Sequence, residues 1–493
     1  MYFCGLDVGT TGVKAIVFDE KGNQISGAYR NYAIKVSPDG TRLLTAGELW
    51  GKTKEVFAET AAAFGREIKA LCISTFGEAF VAVDKSGKPI FDPMLFTDRW
   101  GEKEYFEAEK KTSPEEIARI CGLPLSPSYS LSKVLYLKFE RPDIYEKIDR
   151  ILFIEEFIAL QFCENSAVDY SAACRTMFFD VRTCAWSDEL ISRFGLERSH
   201  FGDTKPMGTI LGTLRQSLCR EWNIPENVHV IIGGHDQPVN AIGSGLRDGY
   251  AVCSMGTAEC ITPIIGAMLP EAFTANKGIP SEPLWEKGKF CALAYNQTSG
   301  LLVQWFVDNF ASNGETPAAF DGKVQPKPSK IMVQPYLMGS GTPYMDSAAR
   351  LAFIGMDYGT SKYDMYQAIL EGLVLDQALN IAVLGEEKIF IKHLIAVGGG
   401  SKSRPWLRIK ADLLGIPVSV LKVKEAGALG GAILCAAAEG VYGGIEEAAC
   451  SMSQIKETIE PDWTYQGIYK EKFEAYRALH GHIKSECEFA VKA

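Results

Sequence analysis

The first thirty residues alternate between short apolar runs and turn residues: "YFCGL", then "KAIVFD", a turn at "EKGN", then "QISGAYR". That spacing predicts a hairpin or meander of strands. From Ala46 to Phe64 apolar residues recur at helical spacing, which predicts an amphipathic helix. The segments "IKALCIST" and "AFVAVDKSGKPI" then return to strands around a glycine turn. Further on, "HVIIGGHDQPVNAIGSG" reads as a strand from His229 to Gly233, a glycine turn, and a helix beginning near Pro238, because proline suits a first helical turn. A strand "HLIAVGGG", a helix "RPWLRIKADLLG", a strand "IPVSVL" and a small-residue helix "AGALGGAILCAAAEG" follow in the last hundred residues. Strands and helices alternate in both halves, which is an α/β layout.

At 493 residues the chain exceeds one ordinary core, so two or three large domains with a cleft between them are expected. Apolar residues make up 47%, charged residues 23%, and the net charge is -10: a globular composition without the basic footprint of a nucleic-acid binder. The start "MYFCGLDVG" has no basic stretch followed by an apolar signal core, and no run of eighteen or more apolar residues follows it. A cytoplasmic protein with no membrane partner is expected. The thirteen cysteines show no C-x-x-C spacing and the six histidines are dispersed, apart from the exposed-looking His480 and His482. Neither a disulfide framework nor a protein-built transition-metal site is indicated.

The chemistry concentrates at glycine bends. "LDVGTTGVKAIV" near the start is echoed by "CSMGTAECITPI" at Cys253 to Ile264, each placing Gly-Thr between two strand-like segments. Glycine there lets the backbone approach a ligand, and consecutive amide N-H groups with threonine hydroxyls form a concave anion site. Two such loops facing each other would grip a polyphosphate. Asp7 has the wrong sign to touch phosphate but suits a Mg²⁺ ion held through water beside one; the alternative is that Asp7 and Gly9 simply make a turn. Asp236, at a strand end beside a helix start, could serve as general base for a substrate hydroxyl or merely cap the helix. His235 reads as structural. The turn "AVGGGSKSRPW" has a strand, three glycines, small hydroxyl residues and then a helix, a design that suits a nucleotide, although neither G-x-G-x-x-G nor G-x-x-x-x-G-K-[ST] is present. Upstream, Glu78, Asp98 and Arg99 fall on loops after strand-like runs, where they could hydrogen-bond a polyhydroxylated ligand.

With D-x-G-T-T, G-H-D-Q, S-x-G-T and G-G-G-S-x-S-x-x-W in that order, the chain resembles the FGGY carbohydrate kinases, within the actin and hexokinase superfamily. The likeness extends to "GTPYMDSAARLAFIGMD", "YQAILEGLVLDQALNI" and "SPSYSLSKVLYLK". It implies two actin-like (ribonuclease H-like) α/β domains, 1–245 for sugar and catalytic base and 246–493 for nucleotide, with ATP and Mg²⁺ in the cleft. By position it makes Asp236 the catalytic base, puts Asp7 and Asp236 at the metal, and sets Thr10, Thr11 and Lys14 near the phosphates. Gly256 and Thr257 become the opposing phosphate loop, Gly300 and Gln304 line the nucleotide site, and Gly399, Gly400, Ser401 and Ser403 border adenosine. Glu78, Asp98, Arg99, Asp236 and Gln237 hold the substrate hydroxyls. Homodimers are common among such kinases.

Phosphoryl transfer needs an aligned hydroxyl, a base and positive potential around the moving phosphate, and these residues supply the parts. Departures from the family narrow the acceptor. Glycerol kinases carry an Arg-Glu pair where this chain has Gly77 and Glu78, and an aromatic residue where "PSYSLSK" offers Ser128. Losing both an ionic donor and an aromatic wall counts against glycerol. Xylulose kinases show a Met-His pair in the region of "TFGEAF", which counts against D-xylulose. A ketose of pentulose type is expected, with a polyol or hexulose as the alternative acceptor and a non-catalytic sugar or nucleotide sensor as the alternative class.

Overall fold

A computed structural model describes residues 1–36, 42–64, 67–95, 100–312 and 314–492. Two mixed sheets share one connectivity. In the first, Tyr2–Val8, Gly12–Asp19 and Gln24–Asn31 form an antiparallel meander. Ile68–Thr75 lies parallel to the first strand, and His229–His235 lies parallel to Ile68–Thr75. The second sheet repeats this. Tyr250–Met255 and Glu259–Ile265 make the opening hairpin, and Phe290–Ala292 and Ala294–Asn296 share the place of the third strand. His393–Val397 and Val418–Leu421 follow in parallel. Each sheet ends on an antiparallel strand, Ile210–Thr213 in the first and Ile455–Ile459 in the second. The short Gly-Thr echo in the sequence therefore marks two hairpins that occupy equivalent places.

The predicted helices Ala46–Phe64, Arg404–Leu414 and Ala426–Ala438 form, because each carries an apolar stripe or is apolar throughout. Lys362–Glu386 is long and apolar enough to cross a membrane, but it is mostly buried inside the second half. One boundary differs from the expectation. The strand predicted to end at Gly233 continues to His235, and the helix begins at Asp236, two residues before Pro238. Proline is tolerated there because N-H groups of a first turn have no intrahelical partner.

The two sheets exchange helices. Asp236–Gly243 leaves the first sheet and packs on the opening hairpin of the second, while Ala426–Ala438, from the second half, lies against the strands of the first sheet. The helices also pack on each other. The small residues of "AGALGGAILCAAAEG" allow this. A methyl group on Gly5 would stand 1.9 Å from the Ala428 carbonyl oxygen, one on Gly243 1.9 Å from that of Ala426, and one on Gly430 2.1 Å from that of Val239. Backbone meets backbone along this seam.

All thirteen cysteines are free, and apart from the exposed Cys450 and half-buried Cys184 they are buried. His480, exposed-looking in the sequence, is buried and stacked on Tyr344 with ring centroids 4.1 Å apart. It lies on Gln466–Lys492, which packs along two helices of the second half.

Candidate active site

The first Gly-Thr bend follows Val8. Gly9 donates its N-H to the Gly12 carbonyl at 3.0 Å, Thr10 is half-buried and Thr11 is exposed at the tip. Across the hairpin Asp7 pairs with Lys14, whose Nζ lies 3.4 Å from Asp7 Oδ2 and 2.6 Å from Glu425 Oε2. Burial raises the Asp7 carboxyl above its usual value against the pull of Lys14, and the charges of Asp236 and Glu425 push the same way. For Lys14, burial opposes the charged form, but the two carboxylates hold the ammonium above its usual value. Lys14, expected near phosphate, is therefore engaged by Asp7 and Glu425. Gly427 leaves room in front of Asp7: a methyl group there would stand 3.5 Å from Asp7 Oδ2. Glu425 and Gly427 belong to the second half, so the first bend is met by the start of helix Ala426–Ala438.

The second bend is built on the same plan. Gly256 donates to the Ala258 carbonyl at 2.9 Å, and residues 256 to 258 are exposed. The helix Gly300–Phe310 begins against it, with the N-H of Gly300 donating to the Gly256 carbonyl at 3.0 Å and that of Ser299 to Thr257 at 2.9 Å. Gln304, one turn along, is exposed and donates to Asp308 at 2.6 Å. The glycine-rich turn lies alongside: methyl groups on Gly398 and Gly400 would each stand 2.9 Å from Met255. Gly399 opens a short 3-10 turn, Gly399–Lys402, in which Ser401 donates to the Gly398 carbonyl at 2.7 Å. Ser403 caps helix Arg404–Leu414. Gly256, Thr257, Gly300, Gly399 and Gly400 thus gather in one place, with the hydroxyls of Ser401 and Ser403 bound locally.

Asp236 stands at the first position of its helix, one residue past the cap position, which His235 holds. Its Oδ1 is buried, accepts no backbone N-H, and faces His235 Nε2 at 3.2 Å. Gln237 Oε1 is likewise buried without a partner. The opening hairpin of the second sheet packs against this helix, and burial pushes the Cys260 thiol up to about 12 against its hydrogen bond with Thr262, with Glu282 and Asp236 adding to the rise and Arg175 opposing it.

A buried framework sets this stretch of backbone. Glu155 Oε1 accepts from the Gly233 N-H at 2.9 Å and Oε2 from that of Asp169 at 3.1 Å. Asp169 caps helix Tyr170–Cys174, and Ser171 Oγ accepts from the His235 N-H at 3.0 Å. Burial raises both carboxyls, that of Asp169 to about 6. Gly234 has φ 134°, and a methyl group on it would meet the Asp169 carboxyl at 2.8 Å, so the position requires glycine.

Glu78, expected on an open loop, is 6% exposed and pairs with Arg175, whose Nε donates to Oε1 at 2.6 Å. Arg175 also pairs with Glu282, a fully buried carboxylate from the second half. Glu282 in turn accepts from His235 Nδ1 at 2.7 Å. Burial pushes the Glu282 carboxyl up, but the charges of Arg175 and His235 outweigh it and hold it below its usual range. The expected loss of an ionic donor beside Glu78 is therefore corrected: Arg175 supplies one from another element, and Tyr129, next to Ser128, lies beneath it, 5.3 Å from ring centroid to guanidinium. His235, read as structural, bridges Asp236 and Glu282. Glu155, Asp169, Arg175 and Glu282 carried no sequence signal beyond the N-cap spacing of "DYS". Trp100 packs edge-on against Tyr136. Asp98 and Arg99 lie outside the described residues.

The model of the N-terminal domain of the FGGY family of carbohydrate kinases matches residues 2–243, and that of its C-terminal domain matches residues 251–439. The chain belongs to this family. It is a carbohydrate kinase, a phosphotransferase with an alcohol group as acceptor and ATP as donor, built on the two-domain actin-like fold. It is 24% identical over 494 residues to a xylulose kinase of Staphylococcus epidermidis, covering 97% of this chain and 96% of that one. Two solved structures from Lactobacillus acidophilus, a gluconate kinase and a ligand-bound xylulose kinase, each superpose with a TM-score of 0.90 at 19% identity, over 98% of both chains. Fold likeness is equal for a kinase named for a sugar acid and one named for a ketose.

Proposed function

We propose that this kinase transfers the γ-phosphoryl group of ATP to a hydroxyl of a ketose of pentulose type, with Asp236 as general base. The observation that carries this reading is Asp236 Oδ1, buried at a helix start and accepting no hydrogen bond. A purely structural aspartate buried there would spend that oxygen on backbone N-H groups or hydroxyls, whereas this one has only the imidazole of His235 beside it. In this reading Asp236 receives the acceptor proton, and Glu78 and Gln237 hold neighbouring hydroxyls, as Asp98 and Arg99 would. The first half, 1–245, carries acceptor and base, and the second, 246–493, carries the nucleotide on Gly256, Thr257, Gly300, Gln304, Gly399, Gly400, Ser401 and Ser403. Thr10, Thr11 and Lys14 approach the phosphates from the first bend.

Asp7 and Asp236 fit a hydrated Mg²⁺: they are partly exposed, their like charges repel one another, and Asp236 Oδ1 accepts no hydrogen bond, with only the imidazole of His235 beside it. Bound there with ATP, the ion would neutralise charge on the β and γ phosphates. The xylulose kinase relative favours a pentulose, whereas the absent Met-His pair disfavours D-xylulose itself. Dependence on ATP favours a cytoplasmic address, and the resemblance favours a homodimer, checked by sedimentation.

Asp236→Asn tests the assignment. Turnover, read as ADP release, should fall about 10²- to 10⁴-fold with acceptor KM changed by less than about threefold. Near-normal turnover, or a lowered melting temperature with activity intact per folded molecule, overturns the general-base role. A protein that binds a sugar yet transfers phosphate to no ketose, polyol or hexulose would be a sensor.

A further inference from the structure

Arg175 follows helix Tyr170–Cys174, and its side chain is 13% exposed. Its Nε and Nη2 donate to one oxygen of Glu78, its Nη1 donates to Glu282, and its face rests over Tyr129. Gly77 makes the space. A methyl group there would stand 2.8 Å from Cδ and from Nε of Arg175, and 3.2 Å from Cδ2 of His235. The guanidinium fills the volume that a side chain at position 77 would take, beside Glu78 and next to the His235–Asp236 pair.

An arginine fork at such a place is suited to gripping a carboxylate on a ligand. Here the protein's own acids occupy it, one from each half. Among the described residues, three carboxylates, those of Asp236, Glu78 and Glu282, face one arginine and one histidine. A ligand carboxylate would add to this negative excess, and the Arg175 donors it needs are already engaged. A hydroxyl meets no such obstacle, since it can donate to a carboxylate and accept from an N-H.

We propose that Arg175 and Glu282 determine acceptor charge: together they restrict the site to uncharged ketoses and polyols and reject sugar acids, with Gly77 as the space that lets the arginine in. This rests on the acceptor site described under Proposed function. It also separates acceptors that an equal fold likeness to gluconate and xylulose kinases leaves together.

The full chain is assayed with Mg-ATP against D-xylulose, D-ribulose, glycerol and D-gluconate, reading ADP release. Wild type should phosphorylate at least one neutral acceptor, with kcat/KM for gluconate below about 1% of that value. Glu282→Gln, which releases one arm of Arg175, should raise the gluconate-to-neutral ratio of kcat/KM at least about tenfold with ATP KM unchanged. Gly77→Ala, which displaces the guanidinium, should raise neutral-acceptor KM several-fold with a smaller change in kcat.

No transfer by wild type to these acceptors or to a wider panel of ketoses, polyols and hexuloses overturns the kinase reading of this site and the inference with it. Transfer to gluconate as efficient as to the neutral sugars, or a ratio unmoved in folded Glu282→Gln, overturns the inference alone. If Glu282→Gln fails to fold, Gly77→Ala and Arg175→Lys decide: an acceptor KM unchanged in both overturns it.

Discussion

The two Gly-Thr hairpins share a backbone and differ in where they put charge. In the first, the second cross-strand pair from the bend is Asp7 and Lys14; in the second, the equivalent pair is Ser254 and Cys260. Charge near the second bend lies deeper. Glu259, fully buried, accepts from Lys410 at 2.6 Å and from Ser299 at 3.0 Å, and Lys410 is fully buried too. The first hairpin leaves its ionised groups partly exposed and shared with the other half, whereas the second seals a matched pair beneath a bend that presents backbone N-H groups. At these two bends, the partly exposed and shared charge sits where ligands would meet, and the sealed pair supports the backbone.

The contrast can be broken from the sealed side. Lys410→Met leaves Glu259 buried without its cation and should cost about 3–5 kcal/mol of stability, seen as a lowered denaturation midpoint. A cost below about 1 kcal/mol would mean that water reaches the pair. From the other side, Asp7→Asn should lower turnover about 10²-fold, equal to about 2.7 kcal/mol in the barrier, while Ser254→Ala at the matching position stays within about twofold. Equal losses from both would remove the asymmetry.

Asp376 gives a graded test of sealed charge. Burial raises its carboxyl to about 7, although the hydroxyls of Tyr336 at 2.6 Å and Tyr476 at 3.1 Å work against the rise. Because the folded value exceeds the unfolded one, its contribution is fully present below about pH 3.9 and is lost as pH rises through about 7. Asp376→Asn should therefore gain on wild type with rising pH, by on the order of 4 kcal/mol at pH 8, read as the difference between two thermal-unfolding series. A pH-independent difference would rule out the raised carboxyl. The smallest effect is expected at the open end. Glu425→Gln removes a 40%-exposed partner of Lys14 and should change stability by less than about 1 kcal/mol, with its influence on ATP KM fading as salt is added.

What the sequence made legible follows the same line. The strands Tyr2–Val8 and Ile68–Thr75 and the helix Ala46–Phe64 were readable because burial imposes a period on consecutive residues. Glycine bends were readable because few other residues serve there. Asp236 was singled out, but the pattern could not separate base from cap; the structure puts His235 at the cap position and leaves Asp236 Oδ1 without a backbone N-H. The Arg175 network was invisible because it joins residues 97 and 107 positions apart, and an arginine in "CRTMFF" looks like any other. Gly77 misled for a related reason: the absent side chain suggested a lost donor, when it is the vacancy that another donor enters.

The glycine seam between the exchanged helices has a mechanical consequence. Where carbonyl oxygens meet α-carbons with no side chain between them, there are no rotamers to repack and no padding to compress, so the two sheets cannot slide past one another without collision. A methyl group at Gly5 or Gly430 would wedge the two backbones apart at the seam and would be felt by both halves at once, without touching a residue assigned to either ligand.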